Sequence, residues 1–487
     1  MSSEPRLNEP RPNEQTRRTF LKLTAMGLTA TATPDLASAL RTAAPIPPAG
    51  DIAVRVTSGK LRYATAASLS WRTGAPEKSD NAIALDPSQK FQEMLGFGGA
   101  FTDATCYMFN QLPSPAREQL FHELFHPSEM ALNVCRTCIG SSDYSTEMFS
   151  YDEGEPDPEL KRFSIAHDQA YVLPMLRLAR KENPDLFLFS SPWSPPGWMK
   201  AGGSMLGGSM RQHYFAPYAQ YFLKFLQGYA AEGVPVQAVT VQNEVDTDQD
   251  GRMPACSWPQ EYEIGFVKNH LGPLLQKNDV SAKIWILDHN YNLWGRAICE
   301  LDDPDLHKYS SAVAFHGYVG TPEMMSKVHE AHPEAQMYWT EGGPDYTSPG
   351  YLTDWTHWGE IYTGAIRNWC QAITGWNIAL DERGRPNIGP FPCGGTVTIN
   401  SQTKEITRSG QYWAFAHFSR NVRRGARRFE SASKVQGVQQ VAFENPDGQK
   451  VLVLTNSGPE KTVTLKQAGK STDVTLSPES LTTLLWS

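Results

Sequence analysis

From residue 95 onward the chain alternates short runs rich in β-branched and aromatic residues with longer stretches whose apolar positions recur every three or four residues. The short runs read as strands and the longer ones as amphipathic helices. Eight strand runs can be counted. They end near Gly98-Gly99, Ser141-Ser142-Asp143, Trp193, Asn243-Glu244, Asp288-His289-Asn290, His316-Gly317, Thr340-Glu341 and Trp376-Asn377. Between them, residues 214–231 place Tyr218, Tyr221, Phe222 and Phe225 on one helical face. Eight strand-helix units over about 300 residues predict an α/β fold, a (β/α)8 TIM barrel. A doubly wound sheet is the competing topology. It would more often carry a Gly-rich phosphate turn after its first strand, and Gly96-Phe97-Gly98-Gly99 lacks the full G-x-G-x-x-G spacing.

Beyond the barrel the period changes from helical to two. Residues 437–443, 450–456, 461–466 and 471–476 alternate apolar and polar positions, with the turn Asn445-Pro446-Asp447-Gly448 between the first two. Residues 51–85 alternate similarly. An antiparallel β-sandwich appended to the barrel and built from both ends of the chain is expected. The expected division is 51–90 for its N-terminal part, 91–415 for the barrel and 416–487 for its C-terminal strands.

The first 39 residues stand apart. Thr16-Arg17-Arg18-Thr19-Phe20-Leu21-Lys22 precedes a weakly apolar stretch and Ala37-Ser38-Ala39, a small-x-small cleavage form. This resembles a bacterial twin-arginine signal peptide, which implies Tat export to a periplasmic or secreted location. Such substrates generally cross folded, so the seven cysteines are not expected to be needed as disulfides for folding. Cys135 and Cys138 form the one C-x-x-C, within the apolar run 131–139, and read as buried strand residues.

Composition narrows the partners. Over 487 residues the charged share is 20% and the net charge −8, with no compact basic tract, which argues against a nucleic-acid partner. No apolar run reaches the roughly 20 residues of a membrane span, so no integral membrane segment is expected in the mature chain. Thirteen Trp suit a large core or sugar-ring stacking alike.

Reacting groups of a (β/α)8 enzyme sit at the C-terminal ends of strands, and two ends carry a glutamate. Glu244 falls on strand four and Glu341 on strand seven, across the barrel mouth from each other. Paired carboxylates there serve glycoside cleavage, one donating a proton and the other supporting charge at the anomeric carbon. A salt-bridged pair at strand ends is the alternative.

Four motifs narrow the choice. They are Leu95-Gly96-Phe97-Gly98-Gly99-Ala100-Phe101-Thr102-Asp103, Ser190-Ser191-Pro192-Trp193-Ser194-Pro195-Pro196-Gly197-Trp198-Met199-Lys200, Val241-Gln242-Asn243-Glu244 and Trp339-Thr340-Glu341-Gly342-Gly343. Together they closely resemble glycoside hydrolase family 30, a glucosylceramidase-like group, over nearly all of the mature chain. The resemblance implies a retaining β-glycosidase acting on a β-linked glucoside or glucan, with Glu244 as acid/base and Glu341 as nucleophile. It implies that Asn243 bonds the sugar 2-OH, that Asp103 and Trp193 bind hydroxyls of the terminal sugar, and that Trp376 forms a stacking wall. Tyr318 is expected to hydrogen-bond near the nucleophile, with His316 beside it in the substrate site. The chemistry further implies a pKa of Glu244 raised by burial and by the charge of Glu341. Val245 stands where related barrels usually have Pro, which bears on the local loop. The loop from Gly389 to Gly395 is expected on the aglycone side.

No cofactor and no metal is implied. Within the enzyme class, endo-β-1,6-glucanase is the nearest rival, and β-xylosidase or xylanase activity also occurs among such proteins. A carbohydrate-binding barrel without hydrolysis is the rival from another class. Glucosylceramidase activity would place the protein in sphingolipid metabolism.

Overall fold

The computed structural model describes residues 51–74 and 81–487. The export signal expected over 1–39 lies outside the described residues. Eight parallel strands close into a barrel: β1 (Gly96–Phe101), β2 (Val134–Cys138), β3 (Phe187–Ser191), β4 (Ala238–Thr240), β5 (Lys283–Asn290), β6 (Ala312–His316), β7 (Gln336–Glu341) and β8 (Cys370–Asn377). Each pairs with its successor in the chain, and β8 closes on β1. Helices such as Val172–Glu182, Phe215–Ala231 and Trp355–Arg367 make the crossovers that parallel strands require.

Side chains alternate across each strand, so every strand is split between two environments. Outward residues such as Leu188, Ile286 and Ile373 pack with the helices in one large cluster. Inward residues form a separate one, in which Trp285 stacks on Tyr338 at 4.2 Å and packs at 4.8 Å against Phe189, with Ala238, Ala314 and Ala372 as the small counterparts. Two positions further along β2, β3, β4 and β6, the inward residues become Arg136, Ser191, Thr240 and His316. The barrel therefore has an apolar floor under a polar layer. β1 and β2 approach so closely that a Cβ on Gly98 would lie 1.9 Å from the Val134 carbonyl oxygen. Only glycine fits there.

Three irregularities mark the C-terminal rim. Successive pairings step from Leu287 to His289 on β5, from Trp339 to Glu341 on β7 and from Gly375 to Asn377 on β8. Asp288, Thr340 and Trp376 are thus the extra residues of bulges. A bulge breaks the strict alternation, so that two neighbouring side chains can reach the same side.

The second element is a ten-stranded sheet ordered 61–70, 51–58, 480–486, 450–456, 438–444, 427–433, 82–93, 461–467, 470–476 and 72–73. The first and last strands of the described residues pair directly, Ala53 opposite Leu485. Two of its strands, Arg427–Ser433 and Ser480–Trp486, fall outside the alternating runs read from the sequence. The first opens on two arginines. The second carries Thr482 and Thr483, buried because the strand is covered on both faces. The division expected at 415/416 falls inside the helix Gly410–Ser419, which packs against this sheet. Among the described residues no helix is long and apolar enough to cross a membrane. All seven cysteines are free, and Cys135 and Cys138 are buried in β2.

Candidate active site

A cavity of about 490 Å³ opens at the C-terminal rim, and both Glu244 and Glu341 line it. Glu341 ends β7, directly after the bulge at Thr340. Gly342 follows because a Cβ there would meet the Trp339 ring at 2.2 Å. Glu244 lies just past β4 in a left-handed backbone conformation, φ +54°, which costs a non-glycine residue about 1–3 kcal/mol. Its N–H donates to the Asp288 carbonyl at 2.9 Å, which holds the turn in place. Val245 is buried and its carbonyl accepts from the Trp258 N–H at 2.8 Å.

Beneath the two glutamates lies a fully buried network. Arg136 pairs with Glu341 through Nη1, while its Nη2 donates to Asp288 Oδ2 and Asn243 Oδ1, each at 2.7 Å. Asp288 also accepts from Ser191, Thr240 and Thr340 hydroxyls at 2.7–2.8 Å. Burial raises the Asp288 pKa, but Arg136, His316 and Thr240 more than offset it and hold the group far below the usual carboxylate range. His316 bridges the network: Nε2 faces Asp288 Oδ1 at 3.0 Å, Nδ1 faces Glu244 Oε1 at 3.3 Å, and Glu341 Oε2 lies 3.9 Å from Nε2. Burial alone would lower the His316 pKa. The surrounding carboxylates, Glu341 foremost, raise it to about 9.

The two glutamates are therefore coupled. Arg136 and His316 contribute two positive charges against one on Asp288, so one further negative charge neutralises the cluster and a second is opposed. Burial raises the pKa of Glu244, but the hydrogen bond and charge of His316, then His289 and the 2.7 Å bond from Gln249 Nε2, take it below the ordinary value. Glu341 moves up, because burial with Glu244 and Asp288 outweighs His316 and Arg136. This is the reverse of the pKa expected for Glu244 from burial and the charge of Glu341. The expectation lacked a buried imidazolium beside it.

The cavity walls include most of the other expected residues. Trp193 and Trp376 stack at 5.0 Å and 21°, with the Arg136 guanidinium 4.7 and 5.5 Å from their ring centres. The bulge at Trp376 turns this side chain toward the cavity. Asn243 accepts from Arg136, which leaves its amide N–H groups free for a ligand. Tyr318 donates to Glu341 Oε1 at 3.1 Å, and Asn290 Oδ1 accepts from its backbone N–H. His316 sits below the cavity as the network's bridge. From the 389–395 loop, Phe391, Pro392 and Cys393 line the cavity, held through Tyr144, whose hydroxyl donates to the Phe391 carbonyl and accepts from the Cys393 N–H, each at 2.7 Å.

Asp103 is not brought to the cavity. Its Oδ2 accepts from the Thr146 N–H at 2.7 Å and hydroxyl at 2.8 Å, pinning the loop after β2. The aspartate that this loop presents to the cavity is Asp143. Its pKa is pushed well up by burial and by Glu341 and Glu244. Sequence reasoning placed Asp288 and His289 at a strand end without giving them a role, and missed Arg136 and Gln249. Arg136 had a signal, a charged residue inside the otherwise uncharged Val134-Cys135-Arg136-Thr137-Cys138, since a buried charge requires partners.

An eight-stranded parallel barrel with two coupled carboxyls in an aromatic-walled cavity at its C-terminal rim has the form of a glycosidic-bond hydrolase. Residues 94–422 match the glycosyl hydrolase family 30 TIM-barrel domain and residues 425–484 the family 30 beta sandwich domain. The chain is 31% identical over 418 residues to the endo-1,6-beta-D-glucanase of Neurospora crassa, covering 81% of this chain and 86% of that protein. It is 28% identical over 429 residues to the lysosomal acid glucosylceramidase of Mus musculus, covering 83% of each. The solved structure of the endo-beta1,6-glucanase BT3312 superposes with a TM-score of 0.82 at 29% identity, covering 90% of this chain and 99% of that one. The chain belongs to glycosyl hydrolase family 30.

Proposed function

We propose that this protein is a retaining hydrolase of β-glucosidic bonds, with Glu341 as nucleophile and Glu244 as acid/base. The observation that carries this reading is the convergence of both carboxyls on one imidazole, in a single cavity walled by stacked tryptophans. A bound sugar decides where the shared proton sits. Glu244 is the more open of the two, its side chain 14% exposed against 8%, so substrate strips more water from it and raises its pKa. Glu341 keeps its bonds from Arg136 and Tyr318 and stays ionised.

Glu341 then attacks the anomeric carbon, the glycosidic C–O bond breaks, and the Glu244 proton goes to the leaving oxygen. Esterification removes the charge on Glu341, the chief influence raising the His316 pKa. Glu244, now a carboxylate, takes a proton from water as that water attacks the anomeric carbon and releases Glu341. Asp143 and Asn243 both line the cavity, which supports their binding hydroxyls of the sugar.

The test is labelling by a 2-fluoro β-glucoside followed by peptide mass analysis. A label on Glu341 is expected; a label on another residue overturns the role assignment. A second reading, endo-β-1,6-glucanase activity, draws support from the similarity to the Neurospora crassa protein. Glucose released from an aryl β-glucoside favours the glucosylceramidase-like form, and oligomers released from a β-1,6-glucan favour the endo form. Export through the twin-arginine route is part of the proposal. Arg17→Lys with Arg18→Lys should leave the protein in the cytoplasm.

A further inference from the structure

Glu244 Oε1 faces two imidazole nitrogens that come from different strands, His316 Nδ1 at 3.3 Å and His289 Nδ1 at 3.8 Å. One donor atom from each residue lies within 4.8 Å of the others. Ligands about 2.0–2.2 Å from a tetrahedral zinc ion are separated by about 3.4 Å, close to the 3.3 and 3.8 Å that separate Glu244 Oε1 from the two nitrogens. His289 Nδ1 is a buried nitrogen without a hydrogen-bond partner, on a residue only 7% exposed, and it points at Glu244.

We infer that Glu244, His289 and His316 form an inhibitory site for a borderline transition-metal cation such as Zn²⁺ or Cu²⁺. The supporting contacts are already in place. Asp288 Oδ1 accepts a hydrogen bond from the Nε2–H of His316, the carboxylate-histidine arrangement that turns the other ring nitrogen to a metal. Gln249 occupies Glu244 Oε2 and leaves Oε1 for the ion. The cavity supplies an open fourth position, since Glu244 and His289 both line it. The ion takes the place of the proton between His316 and Glu244, and the carboxylates of Glu244, Glu341 and Asp288 balance its charge together with that of Arg136. Two imidazoles and one carboxylate suit zinc or copper; magnesium and calcium prefer all-oxygen sets. Bound there, the ion holds the lone pair that must carry the leaving-group proton, so metal and turnover are mutually exclusive.

Calorimetric titration of the metal-free full chain with ZnCl₂ tests the site without reference to activity, with MgCl₂ as the contrast. Another His/Glu trio, His307, His332 and Glu334, lies at the protein surface, so the titration is run in a His332→Ala background. One Zn²⁺ bound, no Mg²⁺ bound, and binding weakened at least about tenfold by His289→Ala are expected. Zinc should also suppress turnover of an aryl β-glucoside, reversibly with a chelator. Glu244→Ala, which removes the central ligand, should lose zinc binding as well, and circular dichroism checks that each variant is folded. Zinc affinity unchanged in either folded variant overturns the inference, as does the absence of binding in the His332→Ala background.

Discussion

Two fully buried histidines, one under the barrel mouth and one at the domain interface, face opposite electrostatic fates. His417 lies where the helix Gly410–Ser419 meets the β-sandwich, with Nδ1 2.8 Å from Thr483 Oγ1 and Nε2 2.8 Å from Thr57 Oγ1. The Thr483 hydroxyl gives its proton to the His417 carbonyl, so its oxygen accepts from Nδ1–H, and Thr57 donates to Nε2. A neutral ring satisfies every partner. Burial, with Arg420 nearby, lowers the pKa to about 3. His316 is buried just as deeply, but both of its nitrogens face carboxylates, which only accept. Burial therefore does not distinguish the site from the domain interface. The partners do: hydroxyls adapt to a neutral ring, and fixed carboxylates demand a charged one.

Glu341→Gln sharpens this contrast most, because it removes the proposed nucleophile and the largest influence raising His316 at once. It should lower kcat by about 10⁴-fold or more while the protein remains folded. Residual turnover within tenfold of wild type would show that the carboxyl pair is structural.

Arg136→Met comes next. It leaves Glu341 and Asp288 buried without their cation, and removal of one partner of such a cluster costs about 3–5 kcal/mol. Denaturant unfolding should register that loss. Arg136→Lys should not restore it, since one ammonium cannot span Glu341, Asp288, Asn243 and Ser191 together. An unchanged midpoint would mean that the polar layer contributes nothing net.

At the interface, His417→Gln should cost about 1–3 kcal/mol at neutral pH by disturbing two buried hydroxyls. Its pH signature is more telling. The folded pKa of about 3 lies below the ordinary 6.5, so the unfolded chain binds more protons between those values. The stability is present above about pH 6.5 and drains away as pH falls toward 3. Melting temperatures from pH 7 to 4 should fall more steeply for wild type than for the variant. Parallel curves would break the comparison.

Asp103→Ala should act on substrate binding more than on catalysis. Losing the bonds that pin Thr146 should cost about 1–3 kcal/mol and loosen the loop carrying Asp143. KM for an aryl glucoside should rise more than kcat falls. A change confined to kcat would argue for direct participation of Asp103 in the chemistry.

Much of this was legible along the chain. Eight strand runs mark the eight barrel strands, and the runs 450–456 and 471–476 lie within sandwich strands. Hydrophobic period is a local property, and local residues set it. Strands buried on both faces, such as Ser480–Trp486, carry no alternation and escape that reading. Glu244 and Glu341 were legible because strand ends in a barrel converge by topology. Asp103 shows the limit: a residue inside a resembling motif was expected at the sugar, and the structure uses it to fasten the loop that bears Asp143.

The sequence by itself determined the barrel, the sandwich and the pair of glutamates, because periodicity and strand ends are written in consecutive residues. Tertiary structure decided the electrical state of the site. Arg136, Asp288 and His316 come from β2, β5 and β6, and bulges at Asp288, Thr340 and Trp376 turn side chains that strict alternation would send elsewhere. Charges separated by 152 residues in the chain meet at 2.7 Å, and at that range burial and Coulomb attraction fix protonation states that no stretch of sequence contains.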